Sequence, residues 1–395
     1  MKIGFFTSIE GWGGSETYLL SLMIGIRDAG HVPVLFGVKG TRLWREAHDA
    51  CIEGISWRNC SPLADLSTGE PPCFADSDNR KTDRLCKIIR RLVPDWAKLL
   101  AGNVGEVMYL RRLFRQFPVD VMHINLNGYE VAGLACRLNG IPSVGWHCIM
   151  PCRDPTPLRR WLNRWTCWSY TIMGGMSQAC IDAWRGLSGL PSRRCRMVWN
   201  GIDLLKYQTD NRSVRCITEP FCVLAVGRLH PMKGFDVLIQ AFGLLNDQRV
   251  RLIIAGDGSD EKMLKSLAFE QECSSSISFV GHREDMETLY KQAHCLVLPS
   301  VSHESFGFVL AEAMAFGLPL ITSDFGPLPE INIDGETGLV VPSGDSRALA
   351  LAIQHLVDHP EDCARFGING IKRANECFSR ERMIAAMVDI YQDLA

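Results

Sequence analysis

From Phe221 onward, short apolar runs rich in β-branched residues alternate with amphipathic stretches. The runs are FCVLAVG, VRLIIAG, ISFVG, CLVLPS, LPLIT and GLVVPS, and between them lie segments such as FDVLIQAFGLLN and SRALALAIQHLVD. A strand with no polar alternation has no face to offer water and must be covered on both sides. The pattern therefore predicts a parallel sheet sandwiched by helices in βαβ order. The first half repeats the scheme: KIGFFTS, a helix from Ser15 to about Ala29, VPVLFGV, VDVMHIN, a helix near Tyr129 to Leu138, PSVGWH, YTIMGG and RMVWNG. A polar stretch from Ile202 to Pro220 suits a connector. The expected α/β architecture thus has a first domain over 1–201, a second over 202–379 and a last helix over 380–395, with ligands bound where strands end.

One segment breaks the alternation. Ser61 to Asp83 is rich in Pro, Ser and Asp and reads as loop, and Arg84 to Phe117 carries eight Lys or Arg among apolar residues and reads as long helices. That basic segment, 84–117, either presents an amphipathic surface to anionic lipid or is a solvated helix face over the domain core. The whole chain, with 42 Lys and Arg against 44 Asp and Glu, has no basic field for nucleic acid. No stretch of about 18 apolar residues is present to span a bilayer, and the start lacks the apolar core of a secretory signal. A cytoplasmic chain, at most resting on the inner face of a membrane, is the expectation. Sixteen cysteines without a Cys-x-x-Cys pair read as reduced, buried thiols. His147, Cys148 and Cys152 supply three ligand types but no fourth, so no metal site is expected there.

Chemistry concentrates at a few strand ends. Ser302 to Phe308 follows CLVLPS and opens a helix, a strand, glycine turn and helix sequence suited to phosphate, with Gly307 letting the backbone approach a diphosphate. Glu304 precedes that helix and Glu312 lies within it, eight positions on, so the two carboxylates can take hydroxyls at different parts of one ligand. After FCVLAVG comes GRLHPMKG, in which Arg228 and Lys233 are placed to neutralise a departing diphosphate without a metal. Gly11, Gly13 and Gly14 join the first strand to the first helix, but Glu16 breaks the dinucleotide fingerprint. His123 and His147 both sit near strand ends on the side of the expected cleft. His147 is the stronger candidate because its strand runs straight into a loop.

With HESFGFVLAE, GRLHPMKG, AGDG, SFVG and DGETGLVVPSGD in the second half, and GGSE, VDVMHIN and VGWH in the first, the chain resembles glycosyltransferase family four. The resemblance implies the GT-B fold, two Rossmann-like domains facing across a cleft, and a retaining, metal-independent transfer of sugar from a nucleotide-sugar. It implies that Arg228 and Lys233 bind the donor diphosphate, that Glu304 holds the transferred sugar and that Glu312 holds the ribose. The turn Ser305, Phe306, Gly307 and Phe308 would complete those contacts. Gly13 and Gly14 would approach from the opposite domain, His147 would touch the sugar, and Arg283 would lie near the base. The last helix would cross back to the first domain.

The nucleotide-sugar is then a substrate and no cofactor is needed. The one Asp-x-Asp, Asp76 to Asp78, lies in the Pro- and Ser-rich loop and not after a strand, which speaks against metal-dependent transfer. UDP is the favoured carrier. The acceptor, a glycan or lipid-linked glycan of cell-surface polysaccharide or glycolipid synthesis, is expected on the irregular segments Thr41 to Phe117 and Cys148 to Trp168. Two other readings share this shape: a noncatalytic nucleotide-sugar-binding subunit and a sugar-nucleotide epimerase.

Overall fold

The computed structural model describes residues 1–8, 14–57, 95–126, 131–151, 156–207, 220–245, 247–302 and 304–395. The first domain runs β1 (Lys2–Phe6), α1 (Gly14–Asp28), β2 (Val32–Gly37), α2 (Arg42–Asp49), β3 (Glu53–Ser56), α3 (Asp95–Gln116), β4 (Val121–Leu126), α4 (Ala132–Asn139), β5 (Ser143–His147), α5 (Pro157–Ser169), β6 (Ile172–Gly175), α6 (Gln178–Ser188) and β7 (Cys195–Met197). The second runs β8 (Phe221–Val226), α7 (Phe235–Leu245), β9 (Val250–Ala255), α8 (Glu261–Glu270), β10 (Ile277–Gly281), α9 (Met286–Gln292), β11 (Cys295–Leu298), α10 (Phe308–Ala315), β12 (Leu320–Ser323), α11 (Leu328–Ile331), β13 (Gly338–Val341), α12 (Ser346–Asp358) and α13 (Pro360–Cys377). A last helix, α14 (Arg380–Gln392), follows.

Both sheets are wholly parallel among the described pairs. The orders are β3-β2-β1-β4-β5-β6-β7 and β10-β9-β8-β11-β12-β13. The six apolar runs of the second half are the six strands of its sheet, and every residue of β11 and β12 is buried, as strands covered on two faces must be. In each sheet the central strands β1 and β4, or β8 and β11, flank the point where chain order reverses, and the crevice outside their C-terminal ends is where such sheets bind ligands.

Two segments expected to be irregular hold regular structure. Thr41 caps α2, its side chain accepting a hydrogen bond from Trp44 N at 3.2 Å, and β3 pairs with β2 at the sheet edge. The second segment, Cys148 to Trp168, contains most of α5. Of the basic segment, 95–116 form one helix, while 84–94 and the loop with Asp76 and Asp78 lie outside the described residues.

The domains meet at a double chain crossing. Ile202 N donates to Phe378 O at 2.8 Å and Arg380 N donates to Ile202 O at 3.0 Å. Beyond it α14 lies on α1. Arg380 pairs with Asp28 at 3.6 Å, and Tyr391 and His123 share a hydrogen bond of 2.9 Å between Oη and Nδ1.

Candidate active site

The turn after β8 carries Arg228 and Lys233. His230 opens a short helical turn, its ring nitrogen accepting from Met232 N at 3.3 Å. Gly234 closes that turn with φ of 68°, and a Cβ there would lie 2.2 Å from Pro299 O. Only glycine lets this turn seat against the end of β11. Val301 N donates to Met232 O at 2.9 Å and fixes the same contact.

That seating brings Lys233 to Glu304, with Nζ and Oε2 2.6 Å apart. Ser300 donates its hydroxyl to the same oxygen at 3.1 Å. Glu304 is only 8% exposed, so its charge is held by a partner and a hydroxyl in place of water. Gly307 caps α10 with φ of 89°, turning the chain so that the first N–H groups of α10 and the end of β11 share one crevice. Phe306 is buried, its ring 5.6 Å from Phe378 and 5.4 Å from Phe308.

Across the cleft, Ser305 donates its hydroxyl to Cys148 O at 2.6 Å, which places the end of β5 against the Glu304 turn. Gly14 faces Phe308: a Cβ on it would meet that ring at 3.5 Å. Gly14, Phe308, Glu312 and Arg380 line one cavity of about 360 Å³ between the domains. Glu312 also accepts the Tyr290 hydroxyl at 2.5 Å. The structure therefore gathers Lys233, Glu304 and Ser305 at one place, and Gly14, Phe308 and Glu312 beside it. Arg228 is exposed on its turn, and Arg283 is exposed beyond β10, two strands from β8. Gly13 lies outside the described residues, as do Cys152 and His303.

His147 corrects an expectation. Its strand ends where expected, but the ring does not open on the cleft. It stacks on Trp184 with centroids 4.0 Å apart, Nε2 is 3.8 Å from Cys167 Sγ, and the residue is 2% exposed. Burial pushes its pKa down to about 3, so the ring is neutral near pH 7. An aromatic stack inside the first domain has won over exposure at the strand end. His123 lies within β4, fully buried, its pKa also lowered to about 3 by burial.

Ser300 and Tyr290, which bond the carboxylates of Glu304 and Glu312, and Glu330 are not marked by any sequence motif. Glu330, on α11, reaches the first domain and accepts from Gln178 N at 2.8 Å and Ala179 N at 2.6 Å. The local signal was a carboxylate just past Phe325-Gly326-Pro327, but its partners lie some 150 residues away in sequence.

Two parallel Rossmann-like sheets facing across this crevice define the GT-B class of glycosyltransferases. The model of the glycosyltransferase family 4 matches residues 12–205 and that of the glycosyl transferases group 1 matches 208–373, so the chain belongs to this family. It is similar to a glycogen synthase of Mycobacterium tuberculosis, 30% identical over 251 residues covering 62% of this chain and 59% of that protein. It is also similar to the D-inositol 3-phosphate glycosyltransferase of Corynebacterium glutamicum, 34% identical over 218 residues, 51% of this chain and 52% of that one. The chain thus matches between half and three fifths of the length of these relatives. Among solved structures, Anabaena Alr3699/HepE in complex with UDP and glucose shares the fold over 100% of both chains, with a TM-score of 0.76 and 20% identity.

Proposed function

We propose that the protein moves a sugar from a nucleotide-diphospho-sugar, with UDP the favoured carrier, to a hydroxyl of a glycan or lipid-linked glycan, with retention and without a metal. The observation that carries this reading is the Lys233–Glu304 pair, a buried carboxylate and a mobile cation held 2.6 Å apart at adjacent strand ends. In this pair the ammonium neutralises the carboxylate. An arriving diphosphate offers Lys233 a second acceptor, joined by Arg228 and the first N–H groups of α10. Glu304, still bonded to Ser300, accepts hydroxyls of the sugar. The bond from the anomeric carbon to the phosphate oxygen then breaks, its electron pair leaving on phosphate. The acceptor oxygen bonds to the same face of that carbon, and its proton passes to the departing phosphate oxygen. Charge growing on that oxygen is what Arg228 and Lys233 offset. Glu312 and Phe308, on the adjoining cavity, would hold the ribose side of the donor. His147, turned inward, supports the strand end and does not touch the sugar. Support for the carrier comes from the Anabaena neighbour, whose structure holds UDP and glucose.

The test is a thermal-shift panel of UDP, UDP-glucose and GDP-mannose. A ligand at 100 times its Kd stabilises by about 2.7 kcal/mol, and the uridine compounds are expected to do so. No shift with any of the three would sink the reading, and a shift with GDP-mannose alone would replace the carrier.

The first domain also supports an acceptor at a membrane surface. Trp161, Trp165 and Trp168 follow helical spacing on α5 and are 55%, 38% and 40% exposed, with Arg160 and Arg164 exposed among them and no acid on the helix. α3, on the same side of the sheet, exposes Val104, Met108, Arg112 and Arg115, while its Glu106 is buried and its pKa raised by that burial. Indole rings with guanidinium groups suit the headgroup region of an anionic bilayer. Sedimentation with phosphatidylglycerol vesicles is expected to pull down the protein, and equal binding to neutral phosphatidylcholine vesicles would count against this face. Among the described residues no helix is long and apolar enough to cross a membrane.

A further inference from the structure

α6 begins at Gln178, and the first turn of a helix leaves its N–H groups without partners inside the helix. Here the N–H groups of Gln178, Ala179 and Cys180 are accounted for. Ser177 accepts from Cys180 N at 3.2 Å, and the carboxylate of Glu330 takes Gln178 N and Ala179 N, one on each oxygen. A negative group at this end also meets the positive pole of the helix. The cap is unusual in its origin, since the helix belongs to the first domain and the carboxylate to the second.

The carrier of that carboxylate is itself tied down. Arg373, on α13, donates Nε to Ile331 O at 2.8 Å and Nη2 to Glu330 O at 2.6 Å, satisfying the end of α11. Arg373 also lies 5.6 Å over the ring of Phe378, whose carbonyl takes Ile202 N at the domain crossing. Glu330 is therefore joined through one side chain to the point about which the domains would turn. On the cleft side, Gly326 packs near Glu304 O and Met150 Cε, where a Cβ would lie 3.7 and 4.0 Å from them.

We infer that Glu330 is a positioning residue that latches the two domains together, its carboxylate closing on the N-terminus of α6 and holding the Glu304 turn against the end of β5. When the domains part, the carboxylate and both N–H groups pass to water, so the latch adds stability to the closed cleft without preventing it from opening. Its location outside the Lys233–Glu304 site lets it govern closure independently of donor charge. The inference concerns the same cleft as the proposed transfer, yet the contact does not depend on which donor binds.

Hydrogen exchange of the 395-residue chain tests it directly. In Glu330→Ala the amides of Gln178 and Ala179 are expected to exchange about tenfold faster or more, since each loses a hydrogen bond to a charged group. Amides later in α6 should keep their wild-type rates. Glu330→Gln, which keeps the shape and one acceptor oxygen, is expected to fall between. Small-angle scattering should give a larger radius of gyration for Glu330→Ala, with thermal midpoint and UDP-induced stabilisation retained. Unchanged exchange at Gln178 and Ala179 would overturn the contact, and faster exchange at an unchanged radius would overturn the latch. Loss of the UDP response in the wild type would count against the donor reading alone, because the exchange and scattering arms use no ligand.

Discussion

Glu304 and Lys233 show what sequence can and cannot specify at a single position. Their places were legible because a strand, a glycine turn and a helix start leave little choice of where side chains emerge. Their mutual pairing was not, since it depends on the close fit of two turns distant in sequence. On the proposed reading, truncating either residue removes a contact of the developing diphosphate charge or of the sugar, and Lys233→Ala also leaves a buried carboxylate with Ser300 as its one remaining side-chain partner among the described residues. Each of Glu304→Ala and Lys233→Ala is expected to lower turnover of UDP-glucose by at least about 100-fold, and near-wild-type rates in either would remove that residue from the mechanism. His147 is the converse case: its strand end was legible, but its ring direction is set by Trp184, which no local pattern reveals. With His123 it makes stability sensitive to acid. Both rings are depressed from 6.5 to about 3 in the folded chain. Below the ordinary value the unfolded chain takes up protons that the folded chain refuses, so stability is intact above about 6.5 and falls as pH drops toward 3. Two such groups predict a loss of about 2 to 3 kcal/mol between pH 7.5 and 5.5. Urea midpoints at the two pH values check this, and a flat profile would show that the rings gain protons in place.

At the level of elements, the strands of the second domain were readable because burial on both faces leaves only apolar, β-branched residues. The first domain was less so. β3 is four residues at the sheet edge with a single one buried, and α2 is a short, largely polar helix with only Leu43 and Ala47 buried, so neither presents an apolar run long enough to stand out in the sequence. Turns between elements carry function here more than the elements do. The 231–234 turn is the clearest example, since it seats Lys233 beside Glu304, and Gly234 has both a left-handed backbone and no room for a side chain. Gly234→Ala is expected to destabilise by more than about 1 kcal/mol, because Pro299 O belongs to backbone that cannot yield cheaply. It should also cut turnover about as much as Lys233→Ala, since the ammonium would be carried away from Glu304. Urea denaturation paired with a UDP-glucose turnover assay measures both, and wild-type stability in this variant would show that the turn can relax away from β11.

The whole molecule is held by a helix that local sequence marks only as amphipathic. The burial of Met383, Met387, Ile390 and Tyr391 on α14 explains why the helix docks, but its destination is decided by features of the other domain. One is a gap over α1: a Cβ on Gly25 would fall 2.0 Å from Ile384 Cδ1, so the two helices touch through a residue with no side chain. The other is His123, which is buried at the centre of the first sheet and whose Nε2 has no partner among the described residues. Its Nδ1 meets Tyr391 Oη, so the C-terminal helix of the chain supplies the one hydrogen bond this ring makes there. Tyr391→Phe keeps the packing and removes only that oxygen, leaving both ring nitrogens buried without partners. The expected loss is about 1 to 3 kcal/mol of unfolding free energy, with the cost falling on the attachment of α14 to the first domain. Because that attachment is one of the two crossings between the domains, calorimetry should show the wild-type transition broaden or divide as the first domain loosens before the second. A variant that melts at the wild-type midpoint in one sharp transition would mean that packing of the methionines and Ile390 alone holds the helix, and that the tyrosine hydroxyl contributes nothing to joining the two halves.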